Sequence, residues 1–391
     1  ARPTHPSTLF PMADEQTPCK SRLRWWLLVA LMIVGLVAFL GTRLSRPVPT
    51  SWHQGAQPNQ VVVDVQVGAA FDIVHSRVVA EDAHTVTVDV IVWEQWGAAP
   101  ASLKTESTTL TLATALGDRT LRSHDGTLVP VSILSRRVLK LDGRNPTILY
   151  GYGAYGTVES PSFNPRLLAW LERGGVYALA HVRGGGVFGR EWHLAGHKTT
   201  KPNTWKDGIA VAEWLIANGY TSRERLATYG GSAGGIFVGR TITERPDLFA
   251  AAVASVPVLD TVRSETRANG VANVPEYGTV QRENEFRGLL AMSSYHALKD
   301  GVRYPAVLLT HGINDIRVDV WQSAKFAARL QAVNAGVPQA RPALMRLDPE
   351  AGHGSGASRA QQQERQVDIW AFLLWQFGVP EFQPVKPDPA G

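Results

Sequence analysis

From Asn145 onward the chain repeats one rhythm: a short apolar run, a glycine or proline turn, then a longer stretch with apolar residues at helical spacing. The short runs are TILYGYG (147–153), VYALAHV (176–182), RLATY (225–229), AAAVASVPV (250–258), AVLLTHG (306–312) and ALMRLD (343–348). Between and after them lie the helical patterns WKDGIAVAEWLIANG, AGGIFVGRTITERP, VWQSAKFAARLQAVNAG and RQVDIWAFLLWQFG, most of them closed by glycine or proline. Strands alternating with helices predict a mostly parallel sheet covered on both faces, an α/β fold with functional groups on loops beyond the carboxyl ends of the strands. Residues 61–116 have a different texture, with runs such as VVVDVQV and TVTVDVIVW that predict strands alone. RTLRSHDGTLVPVSIL then predicts a hairpin turning at His124-Asp125-Gly126.

The apolar run Trp25 to Gly41 is uncharged and has basic residues on both sides, Lys20, Arg22 and Arg24 before it and Arg43 and Arg46 after it. It is expected to be a short single-pass signal anchor, with the bulk of the chain on the extracytoplasmic side. The resulting division is a cytoplasmic tail or extraneous leader over 1–24, the anchor over 25–41 and a linker over 42–60. A small β-rich segment follows over 61–118, then the α/β domain over 119–380 and a tail over 381–391.

The composition narrows the function. A net charge of +5 over 391 residues, partly spent around the apolar run, does not indicate nucleic acid binding. A single cysteine, Cys19, excludes an intrachain disulfide and a cysteine-rich metal site. His181, His193 and His197 have no acidic partner at helical spacing, so neither a metal site nor any cofactor is expected.

TYGGSAGGIF is the decisive stretch. Its glycines lack the lysine of a phosphate loop and the spacing of a dinucleotide fingerprint, whereas Gly230–Gly234 fits G-x-S-x-G between a strand and a helix. That setting puts Ser232 at a sharp turn as a nucleophile, which needs a base and a group to orient the base. Asp315 follows the strand 306–312 and His353 the strand 343–348, in the order Ser, Asp, His expected of an α/β-hydrolase fold. Asp319 sits where the next helix begins and reads as a cap or surface acid. His311 reads as a hydrogen-bonded core histidine within its strand.

The landmarks ILYGYGAYG, RGGGVFGREWH, GYTSRERLATYGGSAGG, RPDLFAAAVASVPVLD, VPEYG, DIRV and AGHGSG are collinear. By them, the chain from about Arg119 to Gly378 resembles the catalytic domain of the prolyl oligopeptidase family of serine peptidases. The resemblance implies Ser232 as nucleophile, His353 as general base and Asp315 as its orienting acid, with the Ala233 amide and the Tyr152 hydroxyl as oxyanion donors. It further implies that Arg317 binds a substrate carbonyl and that Tyr155 and Tyr277 wall the first specificity pocket. Asn273 stands where proline-specific members carry a tryptophan, which puts proline selectivity in question, and Val187 replaces an acid usual in the family. The family's seven-bladed propeller needs about 40–50 residues per blade, so residues 61–116 hold one blade-like sheet at most. The expected activity is peptide hydrolysis through an acyl-enzyme. Two alternatives are an esterase using the same groups on small acyl esters and a non-enzymatic relative that presents apolar surface to a partner.

Overall fold

The computed structural model describes residues 121–136, 139–159, 164–267, 269–354 and 358–384, together with the backbone course of six strands before them. These six are β1 (Thr42–Ser45), β2 (Pro49–Gln54), β3 (Gln60–Gly68), β4 (Phe71–Glu81), β5 (Val86–Gln95) and β6 (Leu103–Thr111). They form two antiparallel three-stranded sheets, ordered β1-β5-β4 and β2-β3-β6. β1 and β2 run through the stretch expected to be a linker, and Pro49 sits at the first position of β2, where a strand tolerates a missing amide donor. The sheets therefore exceed the single blade-like sheet expected of this segment. The expected anchor over 25–41 lies outside the described residues. Among the described residues no helix is long and apolar enough to cross a membrane.

Seven further strands make the principal sheet: β7 (Val131–Leu134), β8 (Thr147–Tyr150), β9 (Val176–Ala180), β10 (Leu226–Gly231), β11 (Ala251–Ser255), β12 (Ala306–Gly312) and β13 (Ala343–Asp348). Their order is β13-β12-β11-β10-β8-β9-β7, parallel throughout except where β7 meets β9. The expected hairpin turns at His124-Asp125-Gly126, where the Ser123 amide donates to the Thr127 carbonyl at 2.7 Å and Arg122 bridges Leu128, but it is short. Its second arm pairs with β9, Val131 opposite Ala180, because the sheet edge offers a longer ladder than the hairpin does.

Five helices cover the sheet: α1 (Pro165–Glu172), α2 (Pro202–Ala217), α3 (Gly234–Glu244), α4 (Trp321–Asn334) and α5 (Arg359–Gln376). Two separate apolar cores follow from this. Trp205 and Leu215 of α2, Ile236 and Phe237 of α3 and Phe326 and Leu330 of α4 pack on one face. Trp170 of α1 and Ile369, Phe372 and Leu373 of α5 pack on the other. Strand β12, which contributes residues to both, reads AVLLTHG and is buried at every position, as a strand covered on two sides must be. The parallel strands all present their carboxyl ends to one edge of the sheet, and the loops there carry Ser232, Asp315 and His353.

Candidate active site

Ser232 occupies the bend between β10 and α3 with φ of 54°, a left-handed conformation that costs a serine about 1–3 kcal/mol. Three backbone hydrogen bonds hold it there: its amide donates to the Ser255 carbonyl at 2.8 Å, and its own carbonyl accepts from the Gly235 and Val258 amides, each at 2.9 Å. The neighbouring glycines are required by crowding. A Cβ at Gly230 would lie 2.7 Å from the Gly151 carbonyl oxygen, and one at Gly234 would lie 2.8 Å from the same atom. The motif is thus a close approach of two backbones with a strained residue at its tip.

Asp315 follows β12 in the turn NDIRV. One carboxylate oxygen, Oδ1, accepts from the amides of Arg317 and Val318, each at 2.9 Å, which locks the side chain over its own turn. The other, Oδ2, accepts from Nδ1 of His353 at 2.7 Å. His353 Nε2 then stands 3.0 Å from Ser232 Oγ, placed to accept its hydroxyl proton. His353 lies on the loop after β13. That loop is tied to the loop bearing Asp315, since the Asn314 amide donates to the Ala351 carbonyl at 3.1 Å. Asp315 is buried and its imidazole partner half-buried, an arrangement in which one proton can pass from serine to histidine while the carboxylate balances the new charge.

The Ala233 amide donates to no acceptor among the described residues and heads α3, so it is available to an incoming oxyanion. Burial raises the Tyr152 phenol above its ordinary pKa, and the charge of Glu159 acts in the same direction. Tyr152 therefore keeps its proton and remains a donor at neutral pH. Its hydroxyl interacts with Ser232, the weaker and opposing influence.

A small cavity of about 30 Å³ adjoins this centre, with Val258, Asn273, Tyr277 and Arg317 among its lining residues. Tyr155 and Tyr277 meet edge to face with ring centroids 5.7 Å apart. Burial lifts the Tyr277 phenol well above its usual value and brings that of Tyr155 to about 12, so both are neutral. Asn273 accepts from the Tyr155 hydroxyl at 2.8 Å and donates to the Asn269 carbonyl at 3.0 Å, so its amide is fixed as a polar wall. Arg317 is exposed and forms no ion pair with a carboxylate of the described residues. Val187 is buried, 4% exposed. Asp319 accepts from the Trp321 indole at 3.1 Å at the start of α4. His311 is buried, bonded to Ser323 at 2.7 Å and to the Val318 carbonyl at 2.9 Å, a core histidine beside the Asp315 turn.

Sequence reasoning missed the support beneath the loop that carries Tyr152. Lys201 is fully buried, donates to the Gly153 carbonyl at 2.6 Å and lies 3.3 Å from Glu276 Oε1. Burial pulls its pKa down to about 8, against the attraction of Glu276. Burial alone would raise the Glu276 carboxyl, but the Lys201 charge, the Tyr155 amide at 3.0 Å and His193 hold it below its ordinary value. Glu276 gives His193 an acidic partner that a search at helical spacing does not reach. The two are 2.8 Å apart, brought together from positions far beyond helical spacing.

A sequence profile of the prolyl oligopeptidase family matches residues 161–380. The chain is 41% identical over 258 residues to a prolyl endopeptidase of Elizabethkingia miricola, covering 66% of this chain and 36% of that one. It is 35% identical over 261 residues to dipeptidyl aminopeptidase BI of Pseudoxanthomonas mexicana, covering 66% and 36%. The chain thus spans about a third of the length of the curated relatives it matches. A solved structure from a study of two prolyl endopeptidases superposes with a TM-score of 0.66 at 32% identity, covering 86% of this chain and 53% of the other. The fold is α/β-hydrolase-like.

Proposed function

The chain belongs to the prolyl oligopeptidase family, and on that premise we propose that it hydrolyses peptide bonds through an acyl-enzyme formed on Ser232. The observation that carries this reading is His353, which bridges Ser232 Oγ at 3.0 Å and Asp315 Oδ2 at 2.7 Å. Ser232 Oγ attacks the scissile carbonyl while His353 Nε2 takes its proton, and the imidazolium is balanced by Asp315. The Ala233 amide and the Tyr152 hydroxyl donate to the oxyanion, each contributing roughly 3 kcal/mol. His353 returns the proton to the leaving amine, and water then releases the acyl group by the same steps in reverse. Arg317, exposed and without a carboxylate partner, binds a carbonyl of the substrate backbone. Asn273 presents an amide where a flat apolar ring would favour proline, so the first specificity pocket accepts proline without preferring it.

The test is labelling with a fluorophosphonate, followed by turnover of a proline anilide, an alanine anilide and a short-chain phenyl ester. Ser232-dependent labelling with comparable cleavage of both anilides is expected, and Ser232→Ala should abolish both. Turnover of the ester with neither anilide would replace peptidase by esterase. A strong preference for the proline anilide would remove the role given to Asn273.

The stretch 25–41 is proposed as a single-pass anchor that places the catalytic domain on the extracytoplasmic side, on the support of its uncharged length and basic flanks. The full chain should then stay in the membrane fraction after alkaline carbonate extraction, and deletion of 25–41 should release it. Release of the full chain by carbonate would end this proposal.

A further inference from the structure

We propose that His193, His197 and Glu276 form a binding site for one divalent transition-metal ion of the Zn²⁺, Co²⁺ or Ni²⁺ class, separate from Ser232, His353 and Asp315. Each of the three offers one ligand atom, and these atoms all lie within 4.8 Å of one another. Bonds of about 2.0–2.2 Å around a tetrahedral ion set ligand atoms roughly 3.3–3.6 Å apart, so a modest contraction of the widest spacing closes the site. Two imidazoles and one carboxylate suit this class of ion, whereas magnesium and calcium require a shell of oxygens.

Three features favour a site over a chance cluster. The His197 Nε2–H donates to the Pro275 carbonyl at 2.7 Å, which fixes the ring, and Nδ1 carries the lone pair, turned toward the Thr200 amide that it caps. A ring nitrogen held by a backbone carbonyl is the usual way a ligating histidine is oriented. Glu276 divides its two oxygens: Oε1 takes the Tyr155 amide at 3.0 Å and Lys201 at 3.3 Å, while Oε2 faces His193 at 2.8 Å. The proton shared between His193 and Oε2 is what an ion would displace. Finally, the side chain of His193 is 25% exposed and that of Glu276 is 5% exposed, so an ion has a route from solvent to a mostly buried carboxylate.

The opposing effect is the Lys201 ammonium beside the same carboxylate. That ammonium lies 3.3 Å from Oε1, whereas Oε2, the oxygen facing His193, is the one offered to the ion.

Occupancy would be felt in the substrate pocket. Tyr155, held at φ of 58°, hangs by its amide from Glu276 and by its hydroxyl from Asn273. An ion drawing on Glu276 therefore reaches the substrate pocket through Tyr155.

The test is titration of the metal-free full chain with Co²⁺ and Zn²⁺, read by calorimetry and by the visible absorption of bound cobalt. One equivalent is expected. His197→Ala should weaken binding at least about tenfold, and His353→Ala should leave it unchanged. His197→Gln, whose amide can still donate to Pro275, should weaken it equally and guards against a misfolded first variant. Thermal unfolding without metal verifies the fold of each. Absence of binding at millimolar metal, wild-type affinity in both His197 variants, or loss of binding in His353→Ala would overturn the proposal.

Discussion

The loop from Gly151 to Gly156 is gripped at two points, and the two grips are built differently. On one side the Gly151 carbonyl lies against Gly230 and Gly234, so the Ser232 bend and the loop bearing Tyr152 are set by backbone contact. On the other, the Gly153 carbonyl is held by a buried ammonium, Lys201, which shares the carboxylate of Glu276 with the Tyr155 amide. The first grip requires only small residues and carries the reacting groups. The second depends on a charge pair in a nearly dry setting, where each partner is costly without the other. The comparison teaches that the proposed chemistry rests on strand ends while the position of Tyr152, the proposed oxyanion donor, rests on buried electrostatics.

The sharpest way to test the first grip is Asp315→Asn. An amide at that position turns an NH₂ toward His353 or toward the Arg317 and Val318 amides, so the imidazole loses its tautomer or the turn loses its acceptor. A fall of about 10⁴-fold in the acylation rate is expected, read from fluorophosphonate labelling or anilide turnover. Asp319→Asn, whose carboxylate meets only the Trp321 indole among the described residues, should stay within about twofold by the same measurement. Equal losses in both variants would mean that the orienting acid has been misplaced.

Much of the first grip was legible in the sequence. G-x-S-x-G between a strand and a helix, then Asp315 and His353 each just past a later strand, reflect a topology that repeats along the chain, so their order alone places them at one edge. The lower edge of the sheet read less well, because the pairing of Val131–Leu134 with β9 depends on a partner more than forty residues away. Lys201 left no signal at all, and Glu276 lay within the VPEYG landmark with nothing to show its role. A lysine in HKTTKPNTW looks like any surface lysine, and its burial follows from where Gly153 and Glu276 arrive in space. For the same reason helical spacing showed no acid for His193.

Lys201→Met probes the second grip. Removing the ammonium leaves Glu276 buried beside the Tyr155 amide and His193 without its main counter-charge. Breaking such a pair typically costs about 3–5 kcal/mol, visible as a lower urea midpoint at unchanged slope. The double variant Lys201→Met/Glu276→Gln should recover a large part of that stability, because the unpaired charge is then gone. If the double variant is as unstable as the single one, packing around Lys201 outweighs its charge. Intact stability in the single variant would remove the distinction between the two grips.

The smallest effect concerns His181, at the end of β9 near the same loop. It is 5% exposed, bonded to Ser132 at 2.7 Å, and burial lowers its pKa from 6.5 to about 4. The folded state therefore holds a neutral imidazole where the unfolded chain would be protonated. Its contribution is fully present above pH 6.5 and is lost as pH falls toward 4, where the folded state takes up the proton as well. A shift of that size corresponds to roughly 3 kcal/mol across the window, so stability measured by urea unfolding should decline between neutral pH and pH 4.5. His181→Gln keeps a hydrogen-bonding group for Ser132 and cannot titrate, so its decline over the same interval should be shallower by about that amount. Parallel pH profiles for the two proteins would place the acid sensitivity elsewhere, with the Lys201–Glu276 pair the next group to examine, since Glu276 gives up its stabilising charge as pH falls below its own lowered pKa.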